Sequence, residues 1–230
     1  MEILVKSGIS AVFQPAGARL GVLDHWQVAL GYDAVEAELA SARERVALAD
    51  VSAVGKLLIQ GQGIAEIILE KLGVAPQRPT ELLTFEGGWI TQLNRYEYYA
   101  VLPLAAVDET VEAFRSAFVG RHAGVTCLTH GRDAFAVIGP RAPDTLGKVC
   151  GLNFHQHNFS NGKSQTSSVA KVTAMVARVD RAGVLCYEVH LDRGFSEYVW
   201  ELTLDAAEEF AGQPIGREAL QRLRAKLGDG

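Results

Sequence analysis

The chain is predicted to be an α+β protein of two pseudo-duplicated lobes. Three observations predict this. Strand and helix signals alternate along all 230 residues. The order strand–helix–strand–strand–helix occurs twice. Setting Gly61 on Gly139 also aligns Ile59 with Val137, Ile68 with Leu146 and Gly73 with Gly151.

Residues 1–32 are punctuated by Gly8, Pro15, Gly17, Gly21 and Gly31 and read as short strands and turns. Val35, Leu39, Ala42 and Val46 then fall on one face of a helix expected over Ala34–Ala47. Val54–Ile59 reads as a strand and Gly61-Gln62-Gly63 as the turn into a helix. That helix carries Ile64, Ile67, Ile68 and Leu72 inward and is capped by Gly73. Trp89–Leu93 and Tyr98–Leu102 form a hairpin around Asn94-Arg95. Val107, Val111, Phe114 and Phe118 mark the helix that closes the first copy.

The second copy opens with the strand Ala134–Ile138, the turn Gly139-Pro140-Arg141 and a short helix through Leu146. After an irregular stretch over 153–168, Val169–Val179 and Val184–Leu191 make a hairpin around Asp180–Gly183. Phe195, Val199, Leu202 and Ala206 mark the inward face of the closing helix. A last amphipathic helix runs through Leu220, Leu223 and Leu227. The division expected is 1–120 for the first lobe and 121–230 for the second, with parts of 1–50 free to pack with the second.

Composition narrows the function classes. Apolar residues make up 48% and the net charge is −5. Lys and Arg are scattered rather than gathered in a stripe, which argues against a nucleic-acid partner. The apolar runs are too short to span a bilayer, and an acid stands where a signal peptide would be basic. A cytoplasmic protein without a membrane partner is expected. Three cysteines without a CxxC pair read as reduced thiols.

Gly61-Gln62-Gly63 lacks the remaining residues of a dinucleotide or phosphate loop, so a tight turn is the better reading. His155 and His157 have no Cys, Asp or Glu at ligand spacing and read as polar loop residues. On the strand Val184–Leu191, alternation puts Leu185, Tyr187, Val189 and Leu191 on one face and Cys186, Glu188 and His190 on the other. Glu188 is then either on a solvated sheet face or a carboxylate lining a groove.

Several segments together resemble the glycine-cleavage T-protein superfamily, which includes aminomethyltransferases and the sarcosine oxidase gamma subunit. Ala47–Lys56 is similar to the family's "GLFDVSHMGK", and Gly87-Gly88-Trp89-Ile90 to its hairpin-opening glycine pair. Gly183–Val189 is similar to "GEDGYEI". Pro214-Ile215-Gly216 with Ala219-Leu220 and Leu223-Arg224 resembles "PxGxxALxxLRxExG". Cys150–Phe159, with Thr166 beyond, resembles the gamma subunit. The order of these segments is preserved over about 45–228.

The resemblance implies two interleaved α+β lobes of the T-protein folate-binding type around a tetrahydrofolate channel. It also implies a chain lacking the β-rich domain that follows in full-length members. Glu188 falls on the glutamate that binds the pterin ring, Tyr187 beside it in the same motif, and Arg224 on the arginine near the cofactor. Thr91 and Gln92 stand in the "GGxxDD"-like run where the family carries an aspartate that positions the one-carbon unit. Neither can be a general base near neutral pH. Arg181 replaces the tyrosine of "YTGE", Val184 its glutamate, and Lys226 the glutamate of the last motif.

The function expected is tetrahydrofolate binding in one-carbon or amine metabolism, with the usual catalytic aspartate replaced. The alternative is a non-catalytic gamma-like subunit on a sarcosine-oxidase-type oxidoreductase. The partners expected are a reduced folate and an oxidoreductase or glycine-cleavage-type protein.

Overall fold

The computed structural model describes residues 4–225, the side chains of Arg224 and Ala225 excepted. Two compact units form. One takes in the chain up to Ala53, Asp133–Asn161 and the chain from Thr166 onward; the other takes in Val54–Arg132 and Gly162–Gln165.

The first unit opens with a hairpin, β1 (Arg19–Leu23) and β2 (Trp26–Gly31). Asp24 and His25 between them both have positive φ, the signature of a two-residue turn that matches strand twist. Helix α1 (Val35–Glu44) stops short of the expected Ala47, and β3 (Ala47–Asp50) follows it as a strand. Ala47, Leu48 and Ala49 are buried on both faces of that strand. A strand covered on both sides loses its alternation, and small residues then pass for helix.

The second unit holds β4 (Gly55–Gly61), α2 (Ala65–Leu72), β5 (Leu82–Phe85), β6 (Gly88–Asn94), β7 (Glu97–Leu102), α3 (Val107–Ala117) and β8 (Ala123–Cys127). Gly73 caps α2 in the left-handed conformation with φ 75°, as the sequence predicts. Leu57, Ile59, Ile90, Ala100 and Leu102 pack against Ile64 and Ile68 near α2 and Val107, Val111 and Phe114 of α3.

The chain then returns to the first unit through β9 (Arg132–Ile138), α4 (Ala142–Val149), β10 (Lys163–Val169), whose first three residues count with the second unit, β11 (Val172–Arg178), β12 (Cys186–Asp192), α5 (Ser196–Glu208), β13 (Gln213–Pro214) and α6 (Arg217–Ala225). One sheet runs β5-β6-β7-β4-β8 and the other β10-β11-β12-β9-β3-β13. The first four positions of the two orders correspond strand for strand, so the pseudo-duplication holds at the level of topology; β3 is inserted between β9 and β13.

On the first unit's larger sheet, Leu48, Phe135, Val137, Tyr187 and Val189 pack with Leu146 of α4 and Val199 and Trp200 of α5. Ala47, Ala49, Ala134, Ala136 and Cys186 pack on the other face with Leu39 of α1 and Leu220 and Leu223 of α6. The inward stripe of α5 is Val199, Trp200, Thr203, Ala206 and Ala207. Phe195 and Leu202, expected inside, are 53% and 36% exposed.

One buried carboxylate ties this unit together. Glu38 on α1 accepts from the backbone N–H of Tyr32 at 2.5 Å, Asp33 at 3.0 Å and Gly216 at 2.8 Å. A Cβ on Gly216 would collide with the Leu30 carbonyl, which accounts for glycine in the Pro-Ile-Gly segment.

Candidate functional site

The hairpin β11–β12 positions Glu188. Its turn is Arg181-Ala182-Gly183-Val184, closed by Arg181 N–H to the Val184 carbonyl at 2.9 Å and Val184 N–H to the Arg181 carbonyl at 2.8 Å. Ala182 and Gly183 have φ of 49° and 76°. Farther along, Val179 N–H donates to the Cys186 carbonyl, and Ala177 pairs with Glu188. Alternation from that turn therefore puts Arg181, Cys186 and Glu188 on one face of the sheet.

That face is not solvated. Glu188 is 4% exposed, Arg181 8%, and His190 and Cys186 0%. Arg181 Nη2 donates to Glu188 Oε1, and its Nε lies 3.3 Å from Cys186 Sγ. His190 Nε2 lies 3.3 Å from Glu188 Oε2. Each carboxylate oxygen thus has a partner within its own strand pair. Burial acts to lower the Arg181 pKa, but Cys186 and Glu188 beside it outweigh that and hold it above the ordinary guanidinium range.

Tyr187 points to the opposite face and is fully buried. Its ring packs edge-on to Phe154 at 5.5 Å and near Phe159 at 5.9 Å, and its hydroxyl donates to the Phe154 carbonyl at 3.4 Å. Arg178 lies 5.6 Å over the same ring. It donates to the Phe159 carbonyl at 2.8 Å and forks onto Asp180 at 3.0 and 2.8 Å. Burial raises the Tyr187 pKa, with Arg178 opposing, so the phenol stays protonated. These contacts give Tyr187 a packing role that holds the 154–159 segment.

In the second unit, the β6–β7 register pairs Thr91 with Tyr99 and Gln92 with Tyr98. Thr91 and Gln92 therefore face opposite sides of the sheet, and no ligand on one side reaches both side chains. Thr91 is fully buried; its hydroxyl donates to the Glu81 carbonyl at 2.8 Å and lies 2.6 Å from the Ser164 hydroxyl. Having spent its only proton on Glu81, Thr91 must accept from Ser164. Gln92 faces the helix-covered side, where its Oε1 is buried without a hydrogen-bond partner.

The register through β4 adds Lys56 and Leu58 to the Thr91 side, with Trp89, Tyr99 and Val101. Lys56 is fully buried and donates from Nζ to the Val54 carbonyl at 3.1 Å. Arg132 lies 5.8 Å over the Tyr99 ring. Where the resemblance puts an acid, this side carries a hydroxyl pair, aromatic rings and cations.

Glu188 and Tyr187 are thus in one unit and Thr91 and Gln92 in the other. Arg224 sits on α6, and its side chain lies outside the described residues. A polar cavity of about 380 Å³ opens in the first unit beside Ser7, Gly8, Gln14 and Gln27; Glu188, Tyr187, Thr91 and Gln92 are not among its lining residues. Arg181 is the residue that sequence reasoning underrated. The signal was present: a two-residue Ala-Gly turn fixes the register that places Arg181 on the Glu188 face.

The family model described as the GCVT N-terminal domain matches residues 9–228. The chain is 25% identical to an aminomethyltransferase of Acidobacterium capsulatum, over 96% of this chain and 62% of that protein. It is 28% identical to the sarcosine oxidase subunit alpha of a Corynebacterium species, over 85% of this chain and 22% of that protein. The chain spans about three-fifths of the length of the curated aminomethyltransferases it matches. Among solved structures, the glycine cleavage system aminomethyltransferase T of Bartonella henselae superposes with a TM-score of 0.82. Its identity is 19%, over 98% of this chain and 63% of that one. A chain of the heterotetrameric sarcosine oxidase of a Corynebacterium species superposes with a TM-score of 0.70. Its identity is 18%, over 89% of this chain and 95% of that one. Both likenesses establish the fold. Among the described residues, no helix is long and apolar enough to cross a membrane.

Proposed function

The chain belongs to the GCVT N-terminal domain family, and we propose that within it this is a cytoplasmic, non-transferring member of amine or one-carbon metabolism. In this reading it is a subunit that docks onto a sarcosine-oxidase-type oxidoreductase. One observation carries the proposal: neither carboxylate position of the family site offers a free carboxylate. Thr91 stands at one, with its proton committed to the Glu81 carbonyl. At the other, Glu188 is engaged by Arg181 and His190. Neither position then supplies a general base to deliver or accept a proton at a one-carbon unit. A chain of this fold is part of a heterotetrameric sarcosine oxidase, which supports the subunit role.

Family membership supports tetrahydrofolate as a ligand, but the donor set around Glu188 does not fit it as it stands. Pterin recognition needs carboxylate oxygens open to N–H donors, and this carboxylate is buried against a guanidinium.

Two measurements test the proposal. Purification of the tagged chain from its host under mild conditions is expected to yield a stoichiometric complex with amine-oxidising activity. A partnerless monomer would sink the subunit role. Calorimetric titration of the wild type and Glu188→Ala with a reduced folate tests the competing ligand-binding reading. Heat from the wild type that the variant abolishes would establish that reading.

A further inference from the structure

We infer that Arg181 is a built-in stopper: its guanidinium occupies from within the place beside Glu188 that an amino-heterocycle would take. The inference deepens the proposed function and rests on Glu188 being the family's ring-binding carboxylate. A guanidinium and the 2-amino-4-oxopyrimidine edge of a pterin share a feature. Each presents N–H donors on a planar N–C–N unit, the fork that a carboxylate accepts. Here Arg181 Nη2 donates to Glu188 Oε1, and its Nε is steadied by Cys186 Sγ at 3.3 Å. His190 stands 3.3 Å from the other oxygen. The tight turn with positive φ at Ala182 and Gly183 fixes where the arginine leaves the backbone.

Charge makes the stopper effective. Glu188 and Arg181 are both more than nine-tenths buried. A neutral heterocycle that displaced the guanidinium would supply donors but no charge, leaving the buried carboxylate uncompensated. The exchange is unfavourable even where the hydrogen bonds match. The resemblance places a tyrosine at position 181. Such a residue has one hydroxyl and no charge, and it cannot neutralise Glu188. A single residue type therefore separates an open carboxylate from a closed one. The ligand class excluded is the neutral, fork-donating bicyclic heterocycle of a reduced folate.

The test uses 5-formyltetrahydrofolate as the probe on the full chain, with isothermal titration and melting temperature as readouts. The wild type is expected to show neither heat nor a melting shift at millimolar probe. Arg181→Ala melts lower in buffer, gains binding at least tenfold over wild type, and recovers melting temperature as probe is added. Arg181→Tyr replaces the guanidinium by an uncharged ring that leaves the Glu188 oxygens open, so it provides a folded variant should the alanine variant not fold; the same gain is expected. Adding Glu188→Gln to either variant removes the gain. Equal affinity in wild type and the Arg181 variants overturns the inference. So does a lack of binding in Arg181 variants that melt cooperatively. Loss of the oxidoreductase partner would overturn the subunit role alone, because these titrations read only the Arg181–Glu188 pair.

Discussion

Replacing Thr91 by aspartate would restore the family acid in name, and the structure indicates what that would cost. The Thr91 hydroxyl donates to the Glu81 carbonyl at 2.8 Å and receives from Ser164 at 2.6 Å, fully buried. An ionised carboxylate can still accept from Ser164 but faces the Glu81 oxygen with no proton between them. Orphaning that carbonyl costs about 1–3 kcal/mol. Burying the charge raises the new carboxyl's pKa. A rise of roughly two units, well inside the range for buried acids, adds about 3 kcal/mol when it is ionised. The total for Thr91→Asp near pH 7.5 is therefore roughly 4–6 kcal/mol. A group whose folded pKa is raised stabilises below its unfolded pKa, and that contribution is lost as pH rises through the folded pKa. Near pH 5 the protonated carboxyl can donate to Glu81, and the cost falls to about 1–2 kcal/mol. Thr91→Val, which loses both bonds without adding charge, costs about 2–3 kcal/mol at either pH. Urea denaturation of both variants and the wild type at the two pH values measures these differences. The reasoning is refuted if Thr91→Asp lies within 1 kcal/mol of wild type near neutral pH, if its cost does not depend on pH, or if it gains methylene transfer.

Three further outcomes are expected. Glu38→Gln keeps an acceptor for Tyr32 and Asp33 but sets an amide against the Gly216 N–H, costing about 2–3 kcal/mol. Hydrogen exchange at Gly216 should rise, and unchanged protection there would contradict the clamp. Burial raises the Asp50 pKa, Ser52 and Ser7 pull it back, and Asp133 pushes it up. Wild-type stability should then fall as pH rises through that raised value, while Asp50→Asn flattens the profile; parallel profiles from about pH 4 to 8 would refute this. Ala182→Asn suits the left-handed turn better than alanine and should stabilise by roughly 0.5–1 kcal/mol, raising the melting temperature by about 1–4 °C; a lowered melting temperature would show that the turn is not strained.

Legibility in the sequence followed burial geometry. Helices with one buried stripe, α2 and α3, and hairpins with turn residues between apolar runs, β6–β7 and β11–β12, were readable. Strand β10 was not: Lys163-Ser164-Gln165-Thr166-Ser167-Ser168 carries no apolar alternation, and its pairing with β11 alone makes it a strand. Strand β3 hid behind its burial on both faces. The face of Glu188 was legible from period two, but its burial was not, because tertiary packing by other elements decides it. Arg181 looked like a family mismatch until the hairpin register placed it beside the carboxylate.

The interleaving has a consequence for synthesis. Val54–Arg132 leaves the ribosome as one nearly uninterrupted piece, and three of its five strands, β5, β6 and β7, pair with their neighbours in sequence. Strand β3, made earlier, pairs with β9 and β13, which lie far downstream. The later-numbered unit should therefore be ordered first during translation, while the first fifty residues wait with a strand edge unpaired. That waiting segment carries Val46-Ala47-Leu48-Ala49, an apolar run prone to wrong pairing, so this protein should depend on chaperones for its beginning more than for its middle.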